Sequence, residues 1–150
     1  MNPFVFRLER FLKLRVHAER ERAESLGEAV KAEEETRREA EAKAARVDAI
    51  VERVQDDAGD VATAGALRNR GLVLEAAVNQ AETAEDSHRD AKKATDAERE
   101  LWNKARVERR MIERLRERRA DEWAASAAKA EQNDTDEVAA RVRRVRGFGT

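Results

Sequence analysis

The groups in this 150-residue sequence best equipped for chemistry are two histidines, His17 and His88, and a run of carboxylates, Glu33-Glu34-Glu35. Paired carboxylates serve as general acid and base, and histidines with carboxylates hold metals, but both tasks need groups that converge on a concave site. Three consecutive glutamates on a helix fan out around its axis instead. The two histidines share no carboxylate cluster, and His88 reads as a packed residue of a helix seam. The sequence contains no cysteine, which excludes disulfide and thiolate chemistry. No glycine-rich phosphate loop and no nucleophile motif is present. The expectation is a protein that is not an enzyme and takes no metal or cofactor.

Composition gives the elements that must position anything else. Charged residues make up 42% of the chain and aromatic residues 4%, with Pro3 the one proline. Alanine, glutamate and arginine dominate, a profile of long helices and coiled coils. High charge also fits disorder, but helix formers fill nearly every position and the apolar residues keep a regular spacing. A net charge of −1 gives the chain no general attraction to nucleic acid or to an anionic membrane. The opening residues are interrupted by Arg7, Glu9, Arg10, Lys13 and Arg15 and do not read as a signal peptide. No apolar run is long enough to span a bilayer. A cytoplasmic protein without membrane insertion is expected.

Between residues 12 and 61, alternating steps of four and three pick out Leu12, Val16, Glu19, Ala23, Leu26, Val30, Glu33, Arg37, Ala40, Ala44, Val47, Val51, Val54, Ala58 and Val61. Twelve of these fifteen are apolar, the mark of a coiled-coil seam. The pattern stops where Gly59, Gly65 and Gly71 cluster, so a turn is expected at about 63–71, after a first helix over about 4–62. A weaker seam follows from Leu74 through Ala77, Ala81, Ala84, His88, Ala91, Thr95, Glu98, Trp102, Ala105, Arg109 and Ile112 to Trp123. It predicts a second helix over about 72–132. Asn133 and Asp134 interrupt it, and Asp134 with Glu137 reads as a capping box that opens a short last helix over about 134–146.

Two long helices joined by a short turn fold back as an antiparallel hairpin, here an all-α coiled coil in one domain. Each arm of about sixty residues would be roughly 90 Å long at 1.5 Å per residue. With the turn at Gly65, residue i should face roughly residue 130 − i. Phe4, Phe6 and Phe11 then lie near Trp123, Phe148 lies beyond them, and Trp102 faces Gly27. Leu26, Val30, Val47, Val51, Val54, Trp102 and Ile112 are the expected seam. Charge divides along the same axis. Residues 1–22 carry six positive and three negative side chains and residues 104–119 carry eight and three, whereas residues 24–60 carry six and twelve. The terminal end is basic and aromatic, and the rest is acidic. Such polarity implies two different contact surfaces, although the phenylalanines could also serve only to staple a frayed end.

Two segments carry a resemblance. The opening FVFRLERFLKLRV resembles the start of the flagellar FliJ family, which commonly begins with phenylalanines followed by a leucine- and arginine-bearing helix. The later stretch with Glu113, Arg114, Leu115, Glu117, Arg118 and Arg119, then Asp136 and Glu137, is similar to that family's C-terminal signature. The resemblance implies a stalk-like, non-enzymatic component of the flagellar type III export apparatus, peripheral at its cytoplasmic face. It implies as partners a hexameric export ATPase, a membrane export gate protein and export chaperones. It also implies that the terminal end, with Phe4, Phe6, Leu8, Phe11, Arg114, Arg118, Arg119 and Trp123, is the part that docks in the ATPase. The gate contact is implied for the middle of the hairpin, without assignment to particular residues.

Three other readings remain at the sequence level: the stalk of a virulence-type injectisome, a generic coiled-coil scaffold, and a nucleic-acid binder. The hairpin reading expects a monomer, and the scaffold a dimer or larger bundle. The nucleic-acid reading expects steep salt-dependent affinity, against which stand the acidic residues interleaved with Arg106 to Arg119.

Overall fold

The structure is a computed structural model that describes residues 3–56 and 63–147, with side chains through Arg144. Ala58 and Val61 of the first seam, Gly59 and Phe148 lie outside the described residues. The described chain is all helical: α1 spans Glu9–Asp56 and α2 spans Ala64–Gly147. Contacts group it into two compact units, one of Arg20–Lys104 and one of Met1–Glu19 with Ala105–Thr150.

Pro3 fixes its own backbone and withholds an N–H, and residues 3–6 ahead of α1 are not helical. The chain enters the helix through a turn in which the Glu9 N–H donates to the Phe6 carbonyl at 3.1 Å. At the start of α2, Thr63 is the cap. Its Oγ1 accepts the Ala66 N–H at 3.3 Å and its carbonyl accepts the Leu67 N–H at 3.1 Å, which satisfies donors that a helix start leaves bare. The turn expected at 63–71 is therefore helix from Ala64 onward, and Gly65 and Gly71 lie inside it. The separate C-terminal helix is also corrected, because α2 runs unbroken through Asn133 and Asp134. Thr135 donates its hydroxyl to the Glu131 carbonyl at 2.8 Å, and Glu137 accepts from Arg141 at 2.8 Å. Glu137 is thus engaged forward along the helix rather than back toward a cap.

In the unit of residues 20–104, the two helix segments pack antiparallel. Arg22 reaches Glu98 at 4.0 Å, Ala29 meets Thr95, and Lys43 lies beside Asn79 and Gln80. Every α2 seam position from Leu74 to Glu98 is buried or half-buried, so that frame is the expected one. The α1 frame differs. Leu26, Val47, Val51 and Val54 are half-buried as expected, but Val30 is 44% exposed, and Ala29, Thr36, Lys43 and Ile50 turn inward with them. The cause is close approach at Thr95, which is 0% exposed. Its one hydroxyl proton is shared between the Ala29 carbonyl at 3.2 Å across the helices and the Ala91 carbonyl at 3.1 Å in its own turn. A valine in the place of Ala29 would hold the backbones apart. Ala40, Ala77 and Ala84, all buried, supply the same close fit. Replacing Thr95 by valine keeps the shape and removes the bond across the helices. The expected loss is about 1 kcal/mol of unfolding free energy in urea titration.

Gly27 does not receive the Trp102 ring as expected. A methyl group at Gly27 or Gly71 would meet no atom within 4 Å. Both glycines sit inside helices, where glycine costs roughly 0.5–1 kcal/mol relative to alanine. Gly27→Ala and Gly71→Ala should each raise the melting temperature, and additively, since the sites share no neighbour.

Exposed charges on α1 pair along the helix. Arg37 and Arg38 both donate to Glu34, and these bonds, the Arg37 one first, hold its carboxyl at about 2, down from 4.5. Such pairs are solvent-screened and support the helix only modestly.

Candidate functional site

The site lies in the unit of residues 1–19 with 105–150. Here the residues ahead of α1 lie along α2. The Phe4 ring packs against Trp123 with centroids 6.2 Å apart and planes tilted by 53°, a favourable geometry for two aromatic quadrupoles. Around this contact opens a groove of about 810 Å³ whose apolar lining includes Phe4, Val5, Phe6, Leu8, Leu115 and Trp123. Arg7, Arg119, Glu122 and Ser126 add polar groups to it. Arg119 is tied to Glu122 at 2.9 Å, so its head is positioned at the groove.

Five of the expected partner-binding residues thus converge: Phe4, Phe6, Leu8, Arg119 and Trp123. Phe11 does not join them. It is 40% exposed and carries the Arg15 guanidinium 4.9 Å above its ring, a cation–π contact. Arg114 and Arg118 stand with Met111, Glu117 and Asp121 along a second, shallower groove on α2. Sequence reasoning missed Val5 and Arg7, which lie in or next to a non-helical stretch where no periodicity marks a face. It named Leu115 only as part of the family resemblance and did not place Leu115 or Glu122 in the site. The four-three stepping from Ile112 to Trp123 passes through Arg116 and Arg119, one position off Leu115, but beyond Ile112 the half-buried positions are Glu113, Leu115 and Ala120 while Arg116 and Arg119 are exposed.

Charged pairs fasten this unit. Glu9 pairs with Arg116 at 3.2 Å, Arg15 pairs with Glu108, and Glu19 pairs with Arg109, which also holds Glu113. The hydrogen bonds that Arg109 donates to Glu19 first, then to Glu113, raise its pKa, so the group stays charged. Glu19 and Arg109 are polar positions within their seams, and they fall opposite each other. Leu12, buried, and Ile112, half-buried, complete the stripes of this unit, while Trp102, half-buried, belongs to the unit of residues 20–104.

Among the described residues, no group of three metal-ligating side chains is placed to hold an ion. Among them, too, no helix is long and apolar enough to cross a membrane. The arrangement offers an apolar groove with arginines beside it, which is the chemistry of protein contact.

No curated protein and no solved structure matches the chain. The model of one family, described as Flagellar FliJ protein, matches residues 4–147, from the aromatic contact of Phe4 to the last helical residue. That span takes in the phenylalanine-bearing start and the Glu113–Arg119 signature together, and the chain belongs to the flagellar FliJ family, a non-catalytic structural component of flagellar type III export.

Proposed function

We propose that this chain is the stalk-like coiled coil of the flagellar export apparatus and that it docks by its terminal unit in a hexameric export ATPase. Docking promotes assembly or activity of the ATPase. Other parts of the chain reach the membrane export gate and assist export chaperones, at the cytoplasmic face of the apparatus. The observation that supports docking is the groove around Phe4 and Trp123, where exposed aromatic and aliphatic surface sits beside Arg7 and Arg119. Large aromatic side chains and arginines are the residue types that most often dominate binding energy at protein interfaces. An acidic collar around the ATPase pore would complement the excess of positive charge over residues 1–22 and 104–119.

The test is a pull-down with the export ATPase of the same genome, with complex mass and ATPase rate read on the same sample. The expected result is one chain per hexamer and a raised rate. A chain that neither binds nor changes the rate overturns the docking proposal.

A further inference from the structure

Past the Phe4–Trp123 contact, α2 continues to Gly147, and every described residue from Ala128 to Arg144 is exposed. This stretch has an ordered charge pattern. Asp134, Glu137, Arg141 and Arg144 follow one another at steps of three, four and three, which places all four along one flank of the helix. Read along the chain, the flank is acidic, acidic, basic, basic. Beside it stand Val138, 61% exposed, and Val142, 48% exposed, one turn apart on the same face. Arg141 bonds Glu137 at 2.8 Å within the helix. Among the described residues, Asp134 and Arg144 have no ion pair.

A pattern of two acids followed by two bases is its own complement when reversed. We propose that this part of α2 pairs antiparallel with the same part of a second copy of the chain, about a two-fold axis near Ala139. Asp134 then faces Arg144 of the second copy, Glu137 faces Arg141 of the second copy, and both pairs occur twice. In antiparallel helix pairs a flank meets its own equivalent, so one flank suffices to close the contact. Val138 and Val142 of both copies lie beside the axis and are covered together. A uniformly basic or acidic partner fits less well, because half of the flank would then meet like charge. An anionic lipid surface meets the same objection, as it would approach Glu131, Asp134, Asp136 and Glu137 along with the arginines. The contact uses one short helical segment and is held in large part by exposed charge. It is therefore weak and salt-sensitive, a reversible association that leaves the chain able to separate.

The experiment is sedimentation equilibrium of the full chain at rising protein concentration, in low and high salt. It is run on wild type, on Arg141→Glu with Arg144→Glu, and on Asp134→Lys with Glu137→Lys. Wild type should move from the 17.0 kDa chain toward twice that mass in low salt and return in high salt. Each double variant alone should stay at single-chain mass, since its flank now carries one sign throughout. An equimolar mixture of the two variants should regain the doubled mass. The substitutions are exposed, and unchanged helicity by circular dichroism verifies that each variant is folded. Wild type that remains a single chain at every concentration overturns the proposal. So does a variant that dimerises alone as wild type does, or a mixture that fails to associate. None of these readings involves the ATPase, so failure here and failure of the docking proposal are told apart.

Discussion

Replacing Phe4, Phe6 and Phe11 together by alanine should weaken binding to the export ATPase about a hundredfold, which corresponds to nearly 3 kcal/mol. Full burial of a phenylalanine stabilises a contact by roughly 1.5–3 kcal/mol. The three rings do not begin from the same state: Phe4 and Phe6 are already half-buried on α2, whereas Phe11 is 40% exposed beneath Arg15. The area left to bury on docking is therefore less than three full rings, which is why the estimate stays below the simple sum. Titration calorimetry with the ATPase gives the affinity, and circular dichroism gives the helicity. Most helicity should survive, because the three positions lie ahead of α1 or on its exposed face. Normal affinity in the triple variant would remove the docking role from this end. A single Phe11→Ala variant separates the two surfaces. A large loss there would mean that the face carrying Phe11 and Arg15 is the contact, rather than the groove.

The second large effect concerns stability. Ala84→Asp should lower the unfolding free energy by about 3 kcal/mol, since an unpaired buried charge costs in the range of 3–5 kcal/mol. Ala84 is buried at a point of close helix approach. Glu39 and Lys43 both line the same shallow depression, so the new carboxylate finds one like charge and one counter-charge there, and the cost stays at the low end of that range. Chemical denaturation of the variant and of wild type measures the difference. Val51→Asp provides the comparison. Val51 is half-buried, and its aspartate can reach water, so its cost should be clearly smaller. Equal costs would mean that the alanine face is no tighter than the valine face.

The α2 frame was legible because Ala81, Ala84 and Ala91 each stand between two polar residues, so the stepping has no apolar neighbour to choose instead. The α1 frame was legible only in half of its positions. Leu26, Ala40, Val47 and Val54 hold under either alternation of threes and fours, but Ala29 and Val30 are both apolar, and periodicity does not choose between them. The choice is made by a tertiary contact, the Thr95 hydroxyl on the Ala29 carbonyl. The start of α2 was not legible because three glycines within thirteen residues point to a turn, and Thr63 beside them carries no periodic signal. In the fold, the Thr63 cap wins, since glycine costs little in a helix's first turn while a side-chain cap satisfies a bare donor. At the terminal unit, the meeting of phenylalanines with Trp123 followed from chain order and fold-back alone. A turn centred at Gly65 puts Ser126 opposite Phe4, one helical turn from the actual partner Trp123. A fold-back centre chosen from glycine positions carries that error into every pair it predicts.

The Glu19–Arg109 pair has a mechanical consequence. An apolar stripe repeats every seven residues, so two such helices can slip past each other by one repeat, about 10 Å, and still meet apolar with apolar. Glu19 and Arg109 remove that freedom in their unit. A slip of one repeat in one direction sets the Arg109 guanidinium against Leu12, the tightest-packed leucine of α1, and leaves Glu19 without its counter-charge. This polar pair, set among apolar positions, thus acts as a key in a keyway. A load applied along the helices would meet resistance there first, and the unit would transmit axial force with its teeth engaged rather than creep.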